Sequence, residues 1–237
     1  MKLAALIATL SLAAASAAMA VPVALDLDAA SGGVNQADFT VGVDVGGTPV
    51  SVGDTLDASG SIAADVGFSG ATPTSIQFLD GTDIGFSDVT LFFGPIQVAE
   101  TMNVRGTITS GALAVSPTGE VDLGGSVLTL DEGFVDVIGD DPANNDLAGN
   151  PIVLTLAAGS LATLDAADLG NGSVGLVLSG PIAFSGQVDD DPVITLSVTG
   201  NLTARGIAVV PEPGSAIVFA SAGLLALRRR SRASERR

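Results

Sequence analysis

The chain has 237 residues, 47% of them hydrophobic but only 4% aromatic, with 30 glycines and no cysteine, histidine, tryptophan or tyrosine. Those absences exclude histidine-dependent triads, cysteine nucleophiles, disulfide staples and zinc sites built from His or Cys. Of the 26 acids only Glu212 and Glu235 lie outside residues 21–210, where 24 acids face two bases, Arg105 and Arg205; that net charge of −22 argues against nucleic-acid partners and anionic surfaces.

Met1 to Ala20 opens with Lys2, continues through an apolar run from Leu3 to Ala15, and closes on Ala18-Met19-Ala20 ahead of Val21-Pro22. A positive start, a short apolar core and small residues at the −3 and −1 positions predict a signal peptide over 1–20, cut by signal peptidase between Ala20 and Val21. An uncleaved anchor is the alternative, and it would ordinarily need about 20 apolar residues.

The region 21–208 reads as one all-β body. Apolar residues alternate in Val23-Leu25-Leu27, Phe39-Val41-Val43-Val45, Ile62-Ala64-Val66-Phe68, Val89-Leu91-Phe93, Ile152-Leu154-Leu156, Val174-Leu176-Leu178 and Ile194-Leu196-Val198. Residues i and i+2 share a face of a strand, so each run buries one side. Gly46-Gly47, Asp80-Gly81, Gly124-Gly125, Asn171-Gly172 and Gly200-Asn201 mark turns between the runs. Only Leu161 to Leu169 has spacing that would suit a couple of helical turns. The expected fold is a mostly antiparallel sandwich or barrel, with a parallel β-solenoid as the alternative. Two short likenesses raise an internal duplication: Gly94-Pro95-Ile96 with Arg105-Gly106 against Gly180-Pro181-Ile182 with Arg205-Gly206, and Asp122-Leu123-Gly124 against Asp168-Leu169-Gly170. Eight phenylalanines supply the large core pieces, except that Phe92 and Phe93, on one strand, point to opposite faces.

Within the body, the candidate chemistry is oxygen chemistry. Hard cations take carboxylate and amide oxygens, and Asp140, Asp141, Asn144 and Asp146 gather these in one loop as a calcium candidate. Asp189-Asp190-Asp191 does the same before Pro192. Neither follows the EF-hand order, and a solvated turn explains both, because Asp and Asn cap turns through their side chains. Paired carboxylates could hydrolyse glycosides, but the Trp or Tyr platforms common at sugar sites are missing. Arg105 and Arg205 are expected in local salt bridges at strand ends, with a carboxylate or sulfate of a polysaccharide as the functional alternative.

The chain ends with Pro211-Glu212-Pro213-Gly214, an apolar segment from Ser215 to Leu227, and the cluster Arg228-Arg229-Arg230 with further arginines to Arg237. The prolines stop a preceding strand. The dozen apolar residues span about 18 Å as a helix, short of a hydrocarbon core of about 30 Å. The arginines hold the tail on the cytoplasmic side and leave the acidic body outside. On a chain with a signal peptide, this order over residues 209–237 resembles the PEP-CTERM sorting signal. The resemblance implies a transient insertion through 215–227, followed by processing near Pro211, Glu212 and Pro213 by an exosortase, a membrane transpeptidase-like enzyme. It also implies a bacterium of the Gram-negative type that makes exopolysaccharide, and a final place at the cell surface or in the extracellular matrix after an inner-membrane intermediate. The expected protein is therefore secreted and non-enzymatic, needs no cofactor, and has exopolysaccharide as a candidate partner. A calcium-dependent polysaccharide-binding module and a tail-anchored, outward-facing envelope protein are the alternatives.

Overall fold

The computed structural model describes residues 19–45, 48–138, 145–190 and 193–210. Among these residues no helix forms. The strands are β1 (Met19–Leu27), β2 (Gln36–Val45), β3 (Thr48–Ser69), β4 (Thr72–Phe78), β5 (Asp83–Phe86), β6 (Val89–Phe93), β7 (Ile96–Thr109), β8 (Leu113–Ala114), β9 (Glu120–Asp122), β10 (Val127–Val137), β11 (Ile152–Leu156), β12 (Leu161–Gly170), β13 (Ser173–Asp190) and β14 (Val193–Val209). They join one sheet in the order β1-β14-β2-β3-β5-β7-β10-β11-β13-β12-β9, with β4 on β3, β8 on β4 and β6 on β7. Because β14 also pairs β13 and β1 also pairs β3, the path of pairings returns on itself.

Each pairing between these strands is antiparallel. That matches the antiparallel all-β expectation and overturns the solenoid, whose stacked coils require parallel neighbours. Three local readings are corrected as well. Leu161 to Leu169 lies in β12, where pairing with β13 outweighs the helical spacing of its alanines. Gly200-Asn201 lies inside β14, opposite Ile182 and Pro181, and turns nothing. Gly94-Pro95 is the β6–β7 turn, whereas Gly180-Pro181 sits within β13, so that likeness is not a structural repeat.

The alternating runs bury the faces their period predicts. Phe39, Val41 and Val43 are buried, as are the β3 residues Ile62, Ala64, Val66 and Phe68 and the β14 residues Ile194, Leu196 and Val198. The third member of the β6 run fails, because a register shift between Leu91 and Phe92 breaks the alternation and leaves Phe92 58% and Phe93 56% exposed. Inside, the core is filled. Two internal voids among the described residues measure about 30 and 10 Å³, the larger lined by apolar side chains such as Ile62, Phe78 and Leu128, and both are too small for a ligand.

Register sorts the connections to two ends of the sheet. At one end Met19 faces Phe68 near the β3–β4 turn, and Ser173 faces Val209, so the start of β1 and the end of β14 lie together. At the other end Val45 faces Thr48, Phe93 faces Ile96, Val137 faces Ala99 and Asp190 faces Val193. The 17 residues of β14 separate the two by up to about 55 Å at about 3.3 Å per residue.

Candidate functional site

A groove of about 520 Å³ runs where residues 27–30 lie beside β3, β5 and β7. One wall is set by Asn35, which is 3% exposed in a left-handed conformation (φ 50°). Its Nδ2 donates to the carbonyls of Asp28 and Thr203, both at 2.8 Å, and its Oδ1 accepts from Thr203 N at 2.8 Å. One asparagine thus clamps the 28–35 connection onto β14. The opposite wall is tied by Asp57 N donating to Ser87 Oγ at 2.9 Å, and by Asn103 N donating to Asp88 Oδ1 at 2.6 Å.

Both body arginines border this region, and both are engaged. Arg105 Nε donates to Asp83 Oδ1 at 2.8 Å while Nη2 bonds Asp83 Oδ2, and Glu132 lies 3.9 Å away. The hydrogen bonds and charge of Asp83 hold the Arg105 guanidinium still further above its ordinary range. Arg205 Nε donates to Asp28 Oδ2 at 2.8 Å. The salt bridges are those expected from sequence, but they stand within β7 and β14 rather than at strand ends. Since Asp28, Asp57 and Asp88 also line the groove, an anionic sugar would meet carboxylates and an arginine already paired. The lining therefore disfavours anionic ligands.

The residues predicted from sequence fall mostly elsewhere. Pro211, Glu212, Pro213, Arg228, Arg229 and Arg230 lie outside the described residues, as do Ala18, Asp140, Asp141 and Asn144. Ala20 and Val21 are in β1, facing Gly67 and Val66, with Ala20 exposed and Val21 buried. Asp146 is exposed and forms a turn: its Oδ1 accepts from Ala148 N at 3.1 Å, and its carbonyl accepts from Asn150 N at 3.0 Å. Among the described residues, no group of three or more acidic side chains is placed to hold a metal.

Next to Asp146, however, is an arrangement that composition did not reveal. The segment 145–147 runs beside β10, with Val135 N donating to Asn145 O at 3.0 Å and Leu147 N to Gly133 O at 3.1 Å. Asn145 is 5% exposed; its Nδ2 donates to Asp136 Oδ1 at 2.9 Å, and its Oδ1 has no hydrogen-bond partner. Asp136 in turn faces Glu100 directly across the β7–β10 pair. The sequence signal for this site is the pairing of two acids on strands 36 residues apart, invisible until the register is known.

No family model, no curated protein and no solved structure matches the chain.

Proposed function

We propose that this chain is an exported, non-enzymatic surface or matrix protein, cut by signal peptidase after Ala20 and sorted by an exosortase through its segment 209–237. The observation that carries the reading is the ordered tail: Pro-Glu-Pro, a short apolar stretch and an arginine cluster, in that order, on a chain that opens like a signal peptide.

The layout of the body is compatible with removal of both ends. Strand β14 stops at Val209, two residues before Pro211, and β1 starts beside it. Cleavage after Ala20 would take from β1 only the pairs Met19–Phe68 and Ala20–Gly67, leaving six pairs with β3 from Val21–Val66 onward. The function of the body is then presentation and association, with exopolysaccharide as its partner.

Replacing Pro211, Glu212 and Pro213 together by alanine in the native cell tests the reading. The expected result is an unprocessed precursor held in the membrane fraction. Processing and release identical to the unaltered protein would overturn it.

A further inference from the structure

We infer that the fold sets the order of the two cuts: pairing of β1 with β3 closes the Ala20–Val21 bond to signal peptidase, whereas the sorting cut needs no described pairing to open. The inference rests on the reading of 1–20 and 209–237 as processing signals, and adds when each can be used.

The first bond lies inside a ladder. Met19 faces Phe68, Ala20 faces Gly67 and Val21 faces Val66, and the run continues to Asp26 opposite Ser61. On its other edge this part of β3 is held by β4, where Val66 faces Ile76. Alternation sends Val21 and Val23 into the core at 8% and 6% exposure, with Ala20 on the outer face. A peptidase that takes its substrate as an extended strand uses the backbone on both sides of the scissile bond for its own hydrogen bonds. Here that backbone is committed to β3, and the side chain that follows the bond is part of the core. The start of β1 has to peel away and draw Val21 out before an enzyme can engage it, so the cutting rate falls with the fraction of molecules open at that moment.

Before folding there is no such barrier. β3 follows β1 in the chain, so Ala20 and Val21 emerge without a partner and stay unpaired until Val66 and Gly67 have been made, on the order of seconds at about 5–20 residues per second. The other end is built differently. The β14 ladder closes at Val209 opposite Ser173, Val210 N donates to Gly172 O at 2.7 Å, and Pro211 has no N–H with which to continue. Pro211, Glu212 and Pro213 follow that last described backbone bond, and a cut among them breaks none of the pairs that hold β14. The body can therefore fold first and be sorted afterwards, but a precursor that folds before the first cut keeps residues 1–20.

The full-length precursor tests the first half when it is either diluted from urea straight into purified signal peptidase in detergent or refolded before the enzyme is added, with the new N-terminus read by mass. We expect the Val21 species from the unfolded chain and cutting slower by roughly tenfold or more from the refolded one. A flexible Gly-Ser linker of about ten residues between Ala20 and Val21 moves the bond off the ladder and leaves β1 whole from Val21, so this variant should be cut equally fast in both states. Equal rates for the folded and unfolded unaltered chain overturn the inference and leave the signal peptide standing. Slow cutting of the refolded linker variant also overturns it, because something other than the β1–β3 pairing then hides the bond. No cut at Ala20–Val21 in either state overturns the signal-peptide reading and the inference together. A reversible block of signal peptidase in the native cell tests the second half. Chains made during the block should lose the tail and, after washout, keep residues 1–20, whereas the linker variant should lose both. Conversion of the blocked unaltered chains to the Val21 species, or retention of the tail until residues 1–20 are gone, overturns the order.

Discussion

Arg105-Gly106 and Arg205-Gly206 play the same part on different strands. Each arginine turns outward to a carboxylate, and each following glycine lies against the backbone of a neighbouring strand. A Cβ on Gly106 would stand 2.5 Å from Thr129 O; on Gly206 it would crowd Ala24 O and stand 2.9 Å from Leu25 Cδ2. Gly206→Ala should therefore cost about 1–3 kcal/mol in a denaturant titration, whereas Gly111→Ala, with nothing within 4 Å of the added carbon, should stay within about 0.5 kcal/mol. Arg205→Ala should cost at most about 1 kcal/mol, because Arg205 is 58% exposed and its partner Asp28 is partly exposed. The same scale explains the second likeness seen in the sequence. Gly124 N donates to Asp122 Oδ1 at 2.9 Å at the turn after β9, and Gly170 N to Asp168 Oδ1 at 2.8 Å at the bulge that ends β12, so the two Asp-Leu-Gly segments share one local side-chain bond in different settings. Asn35 escaped notice because a single asparagine carries no periodic signal; its role comes from distant partners such as Thr203.

Strands were legible wherever a two-residue period ran unbroken, and they were misread where the pattern met a bulge or a tertiary demand. The β12–β13 hairpin was readable from Asn171-Gly172, whose φ values of 55° and 74° are those of a two-residue turn with both residues left-handed. Gly172→Ala would force a Cβ to 2.9 Å from Val210 O in that strained region, and should lower stability by about 1–2 kcal/mol in the same titration. By contrast, β12 itself was misread, since Asp165-Ala166-Ala167 has a composition that helices favour and strand only by virtue of pairing. Phenylalanine shows the same limit. Phe39→Ala and Phe78→Ala, at 2% and 1% exposure, should each cost about 3–5 kcal/mol, while Phe92→Ser and Phe93→Ser should be nearly neutral. Composition counts all nine alike; the shift after Leu91 is what sets Phe92 and Phe93 apart.

For the whole molecule, charge and the placement of the ends matter most. A body at −22 repels itself, so its melting temperature should rise as sodium chloride increases from roughly 0.01 to 0.5 M; a fall would mean that its few ion pairs outweigh the repulsion. The all-β class was readable from the alternation, but the return of β14 to β13 and of β3 to β1 was not, because nothing in a local pattern encodes which strands meet. That topology places the start of β1 and the end of β14 at one end and Val137 and Asp190 at the other. If both chain ends are processing signals around this body, as proposed, the intact mass of the protein from its native culture will show it. We predict a species that starts at Val21 and ends between Pro211 and Pro213, with or without an attached group. A mass that retains Ser215 to Arg237 would contradict it and make the chain a tail-anchored, outward-facing protein.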